Sequence, residues 1–140
     1  MVRYYFEQIA VFSFARRLLR GVLITIVKDH GLAMGEVNII FCSDDYLLQL
    51  NRDYLQHDYY TDILTFGNSE GGIVKGELYI SADRVRDNAS AYKVRFSTEL
   101  YRVVCHGMLH LVGYGDATED EVILMRSKEE WYIQSMNNQA

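Results

Sequence analysis

Phe12, Ala15, Leu19, Val22 and Ile26 recur at spacings of three and four, the stripe that an amphipathic helix turns toward a core. The stripe runs out at His30-Gly31, where the helix is expected to stop. Next, Glu36-Val37-Asn38-Ile39-Ile40-Phe41-Cys42 is short, β-branched and bounded by turn residues, which predicts a buried strand. Ser43, Asp44 and Asp45 supply capping groups for a second helix carrying Leu47, Leu48, Leu50 and Tyr54. Ile63-Leu64-Thr65-Phe66 predicts another strand. After the glycine-rich loop 67–72, Gly76-Glu77-Leu78-Tyr79-Ile80 alternates as a strand with one buried face, and the two are placed to pair. Ser81 predicts the N-cap of a helix through Ala91, and Ser97 that of a helix through His106 and His110 to Val112. Thr118 with Glu121 makes a capping box that opens a last helix to about Met136. This order predicts an α+β fold, a compact single domain over residues 1–140 with a small mixed β-sheet packed against helices.

Composition supports a packed core, with 49% apolar and 24% charged residues, and 140 residues suit one domain without a disulfide or metal staple. Arg16, Arg17 and Arg20 interrupt the apolar N-terminal stretch, so no membrane span is expected. Cys42 and Cys105 are too few for a disulfide framework and sit in apolar runs, which points to a reducing, cytoplasmic compartment. A net charge of −5 gives the chain as a whole no pull on nucleic acid. Between residues 75 and 102, however, Lys75, Arg84, Arg86, Lys93, Arg95 and Arg102 outnumber the acidic residues. A local basic face stays open there, with a solvated mixed surface as the simpler reading.

The chemistry concentrates in HGMLHLVGYGD, residues 106–116. His106 and His110 stand one helical turn apart on one face, so both imidazoles can reach one ion. Gly113 permits the reversal that carries Asp116 back to that face as a third ligand. A bare pair of histidines at this spacing is more often two satisfied residues on a half-buried helix. The glycine and the third residue at matching spacing tip the balance to a metal. Three protein ligands with an open position describe a catalytic site, and the aspartate shifts preference somewhat toward harder ions. The same spacing belongs to the long zinc-protease motif, whose glutamate after the first histidine is the general base; here that position is Gly107. A metal still polarises a phosphoryl oxygen without that carboxylate, so phosphodiester hydrolysis stays open.

HGMLHLVGY, followed by Asp116 and then by Glu121, Met125 and Glu129, resembles the YbeY family of single-strand endoribonucleases. Leu50-Asn51 with Tyr54, Thr61-Asp62-Ile63-Leu64-Thr65-Phe66 and Gly76-Glu77-Leu78-Tyr79-Ile80 are similar to further segments of that family, in the same order. The resemblance implies a zincin-like metal helix and one zinc per chain. His106, His110 and Asp116 become the catalytic metal ligands that activate water. It implies an enzyme that cleaves single-stranded RNA in ribosomal RNA maturation and ribosome quality control, with the ribosome or ribosomal proteins as partners. The family usually has histidine where this chain has Asp116. It usually has arginine after the tyrosine of L-N-x-x-Y, where Leu55 stands, and proline where Tyr60 stands. Arg52, Arg84 and Arg86 are the candidates to replace the missing RNA contact, with Thr61 beside them. Asp62, like Thr61, is expected to shape the cleft. His57 is a candidate acid or RNA contact, Tyr59, Tyr60 and Tyr114 candidate base-stacking rings, and Glu121 and Glu129 candidate acceptors that orient the histidines. Two other readings remain: a zincin-like metallopeptidase, which Gly107 disfavours, and a ribosome assembly factor whose metal is structural.

Overall fold

The structure is a computed structural model that describes residues 1–56 and 60–139, so His57 and Tyr59 lie outside the described residues. Strand β1 (Val2–Glu7) leads through helix α1 (Arg16–Asp29) to β2 (Ala33–Cys42), and α2 (Asp44–Leu50) runs on into a π-helical turn, Asn51–Leu55. Strands β3 (Ile63–Gly67) and β4 (Ile73–Ser81) precede α3 (Ala82–Tyr92), α4 (Phe96–Leu111) and α5 (Glu119–Gln139). The sheet order is β1-β2-β4-β3. β1 and β4 both run parallel to β2, and β3 runs antiparallel to β4. This is the α+β architecture with a mixed sheet that the order of patterns predicts.

Polar positions explain where helices start. Ser43 Oγ accepts from the Tyr46 amide at 3.1 Å and Ser81 Oγ from Arg84 at 3.0 Å, each closing an otherwise open first turn. Thr118 and Glu121 exchange hydrogen bonds of 3.0 and 3.1 Å, the reciprocal capping box. Two local expectations shift. Ser97 lies inside the first turn of α4, which begins from Arg95 without a side-chain cap. Phe12 and Ala15 precede α1, and Phe12 packs instead against Phe6, Phe41 and Phe96. A first strand, β1, adds to the expected elements: Val2, Tyr4 and Phe6 alternate on its half-buried face, with Tyr4 stacked on Phe41 and Phe6 tilted against it.

α1 buries Leu19, Val22, Leu23, Ile26 and Val27 against the same core that Ile39, Phe41, Leu78 and Ile80 enter from the sheet. α4 lies across that core and buries Leu100, Val103, Val104, Met108 and Leu109. One residue sets how close it comes. A Cβ on Gly107 would stand 2.7 Å from Ile63 Cδ1 and 3.0 Å from both Leu78 methyls, so glycine lets this turn of α4 rest on the Ile63 and Leu78 side chains without displacing them. Helix backbone meets sheet there, with His106 just before the contact and His110 one turn after it. Cys42 and Cys105 are buried free thiols. Among the described residues no helix is long and apolar enough to cross a membrane.

Candidate active site

α4 ends where the chain must reverse. Gly113 sits at φ +115°, a region that L side chains avoid, and its amide bonds to the His110 carbonyl at 3.0 Å. The next residue pins the turn: the Tyr114 amide bonds to the Leu109 carbonyl at 3.0 Å, and its hydroxyl donates to His30 Nε2 at 2.8 Å, at the end of α1. Asp116 is thereby returned to the face of α4 that carries both histidines. The His106 and His110 Nε2 atoms lie 3.0 Å apart, and Asp116 Oδ2 is 3.2 Å from the second and 3.4 Å from the first.

The remaining ring nitrogens decide what these three atoms present to one another. His110 Nδ1 donates to the Tyr114 carbonyl at 2.8 Å, and His106 Nδ1 to Glu129 Oε2 at 2.5 Å. With each Nδ1 protonated, each neutral ring keeps a lone pair on Nε2. Two lone pairs and a carboxylate oxygen then face each other with no proton between them, which is repulsive unless a cation occupies the centre. Ligand atoms around a tetrahedral zinc, with bonds of about 2.0–2.1 Å, stand roughly 3.3 Å apart, so the observed spacings fit such an ion. His106, His110 and Asp116 are the group of donors among the described residues that could hold a metal.

Glu129 is itself held from behind. Arg102 reaches it with Nη1 at 2.9 Å and grips Glu99 with Nε at 2.9 Å and Nη2 at 2.5 Å. Glu99 and Glu129 are each only 2% exposed. Burial pushes Glu129 up, but the hydrogen bonds from His106 and Arg102 outweigh it and leave its carboxyl below the ordinary range. Burial opposes a charge on His106, and only the bond to Glu129 together with the negative charges of Glu129, Asp116 and Asp62 outweighs it, raising its pKa.

In front of the triad lies a cleft of about 630 Å³. His106, His110, Leu111 and Asp116 form one wall, and the segment 61–65 with Gly67 forms the other. Asp62 stands in that second wall, 3.5 Å from Asn88 Nδ2, and burial raises its pKa above the ordinary 3.8. A carboxyl with a raised folded-state pKa holds its proton longer when folded, so stability declines as pH rises from 3.8 through the folded value. Asp62→Asn keeps an acceptor for Asn88 and removes that charge. The variant is expected to be more stable than the parent at neutral pH, with the gain vanishing below pH 3.8; urea titrations at several pH values measure it.

The comparisons with known proteins bear on what this cleft does. The family model described as Endoribonuclease YbeY matches residues 6–137. The chain belongs to the YbeY family. A relative from Cytophaga hutchinsonii, named Endoribonuclease YbeY, is 48% identical over 129 residues, covering 91% of this chain and 90% of its own. One of the same name from Porphyromonas gingivalis is 40% identical over 129 residues, covering 92% and 85%. The solution structure of a Thermotoga maritima protein superposes with a TM-score of 0.69 at 31% identity, covering 99% of this chain and 91% of that one. This YbeY chain is accordingly an endoribonuclease, and neither the peptidase nor the assembly-factor reading is favoured. Gly107 agrees, since it carries no side chain to act as a general base.

Against the YbeY site, the residues singled out from sequence separate cleanly. Thr61 lines the cleft and accepts from Asn51 Nδ2 at 3.0 Å. Arg52, Arg84 and Arg86 are absent from its lining. Arg84 pairs with Asp44 at 2.7 Å and lies over the Tyr60 ring at 5.2 Å, while Arg86 lies over Phe96 at 5.0 Å. Arg52 and Leu55 are exposed on the π-helical turn. Tyr114 anchors the ligand loop through its hydroxyl, and Glu121 is engaged in the capping box beside Gly115. Glu129 does orient His106. Arg102 and Glu99 were missed as its supports, although Glu99, Arg102, His106 and His110 follow one another at spacings of three and four along a single face of α4.

Proposed function

We propose that this YbeY chain is a single domain that uses one zinc, held by His106, His110 and Asp116, to cleave single-stranded ribosomal RNA during rRNA maturation and ribosome quality control. The observation that carries the metal reading is the convergence of two imidazole Nε2 atoms and a carboxylate oxygen at 3.0–3.4 Å while both Nδ1 atoms are otherwise engaged. A bound zinc would supply Lewis acidity toward water and the phosphoryl oxygen. The protein's own part is positioning. Glu129 and the Tyr114 carbonyl each accept a hydrogen bond from an Nδ1–H and keep both Nε2 lone pairs turned inward. Asp116, its side chain 49% exposed, closes the triad from a loop with room to adjust. Thr61 offers a hydroxyl at the cleft wall. Of the three arginines proposed as RNA contacts, Arg84 is held outside the cleft lining by Asp44 and the Tyr60 ring, so Arg52, Arg84 and Arg86 would act as charge beyond the cleft rather than within it. Ribosomal partners follow from the substrate, and the buried free thiols of Cys42 and Cys105 support a cytoplasmic setting.

Metal analysis and RNA cleavage by the purified chain and two variants test this. The parent is expected to carry stoichiometric zinc and to cut unstructured RNA in preference to duplex. Asp116→Ala should lose its zinc on dialysis and cleave at least about tenfold more slowly. Asp116→His, which supplies a stronger nitrogen donor, should keep both. Stoichiometric zinc in Asp116→Ala would overturn the ligand set, and a zinc-loaded parent that leaves RNA intact would overturn the function.

A further inference from the structure

The wall of the cleft opposite the histidines is an edge of the sheet. β3 is the last strand in the order and, among the described residues, pairs only with β4, so its other side faces the cleft. The register shows which backbone groups point there. Ser81 donates to the Asp62 carbonyl at 2.9 Å and Asn68 to the Lys75 carbonyl at 3.0 Å, so Asp62, Leu64, Phe66 and Asn68 turn their amides inward to β4. In an antiparallel ladder the alternate residues turn theirs outward, and these are Ile63, Thr65 and Gly67.

Sheet edges are normally blunted by charge, proline or a bulge. The opposite edge strand, VRYYFE, carries Arg3 and Glu7, whereas β3, ILTFG, has neither charge nor proline. The unblunted edge is the one beside the metal triad. It also runs along α4 rather than across it: Ile63 meets Gly107, and at the far end a Cβ on Gly67 would stand 3.2 Å from Leu111 Cδ2. The strand therefore passes both histidine turns.

We propose that the free edge of β3 is the rail that holds the RNA strand, with the outward amide and carbonyl of Ile63 and of Thr65 hydrogen-bonding the Watson–Crick edges of unpaired bases beside the scissile phosphodiester. This rests on the reading of the chain as a single-strand endoribonuclease and explains the restriction. The outward N–H and C=O of one residue set a donor next to an acceptor, and every base carries an adjacent acceptor and donor on its pairing edge. In a duplex that edge is consumed by the partner strand; in a single strand it is free to be read. The rail therefore selects strandedness and tolerates sequence. Ile63 and Thr65 stand roughly 6.7 Å apart along the strand, a step that an unstacked nucleotide chain can follow.

Two measurements test the rail. Thr65→Pro removes the outward N–H and leaves the ladder to β4 intact, because proline is tolerated on an edge strand where its nitrogen faces out. It should keep its zinc and kcat while KM for single-stranded RNA rises about three- to tenfold. Thr65→Val, which removes the hydroxyl but keeps the outward N–H, should raise KM clearly less than Thr65→Pro does. A folded, zinc-loaded Thr65→Pro with unchanged KM overturns the proposal, as does an equal loss in Thr65→Val. If Thr65→Pro does not fold, amide NMR shifts of the parent with a 2′-O-methyl RNA heptamer decide: they should centre on Ile63, Thr65 and Gly67. RNA bound without shifts there, no RNA bound, or shifts produced by an extended peptide and not by RNA would each overturn it. The peptide outcome would make the edge a strand-addition site. Binding is read apart from cleavage, so a parent that binds along β3 but does not cut would refute the nuclease reading and leave the rail standing.

Discussion

His106→Ala is expected to release the ion and to lower single-stranded RNA cleavage by about a thousandfold or more. The ring is at once a ligand, 3.0 Å from His110 Nε2 and 3.4 Å from Asp116, and the end of the buried chain through Glu129 and Arg102 to Glu99. Alanine leaves two donors, too few to hold a catalytic zinc against dialysis. The Lewis acidity lost with the ion is worth several kcal/mol, and each ~1.4 kcal/mol of barrier is about a factor of ten in rate. Zinc content by elemental analysis and single-turnover cleavage of a labelled oligonucleotide measure the two losses together. A variant that retained stoichiometric zinc, or cut within tenfold of the parent, would show that His106 is not a ligand.

Arg102→Met should be the most destabilising single change near the site, by about 3–5 kcal/mol in urea unfolding. Methionine keeps the length and apolar stem of the side chain and removes the guanidinium that joins Glu99 and Glu129, both 2% exposed. Two buried carboxylates then lose their shared counter-charge and repel each other. Because Glu129 has a depressed folded-state pKa, its share of the stabilisation is present above the ordinary value of 4.5 and lost as pH falls through the folded value. The parent should therefore lose more stability on acidification through that window than the variant does. Zinc affinity should fall about 10–100-fold as well, since Glu129 would no longer be held against His106 Nδ1. Adding Glu99→Gln to Arg102→Met should recover part of the stability, because one buried charge is removed with its partner; no recovery would show that the pair is not coupled through Arg102.

The local part of this fold was legible along the chain. Ser43, Ser81 and the Thr118–Glu121 box each sit within four residues of the amides they cap, and a chemical preference acting over one turn can be read from neighbours alone. Ser97 does not cap α4 because a capping side chain marks a helix start only where the backbone turns to meet it, and the N-cap is Arg95, two residues earlier. β1 is harder to read, because Tyr5 on its exposed face interrupts the polar half of the alternation that Val2, Tyr4 and Phe6 set on the other.

The same division runs through the site. The spacing of His106, His110, Gly113 and Asp116 determined the triad, since one helical turn and one reversal bring those atoms together wherever the helix lies. Glycine at 107 was also legible as a missing base, but its purpose as the contact between α4 and β3 was not. Only the tertiary structure decided that Glu129, 23 residues away, rather than Glu121 accepts the His106 Nδ1–H bond, that Arg102 braces it, that Arg84 turns to Asp44 rather than into the cleft, and that among the described residues β3 leaves an edge open beside the triad. These follow from how α5 lies on α4 and from which strand ends the sheet. Such relations are set by packing between segments far apart in the chain, to which no local spacing carries a signal.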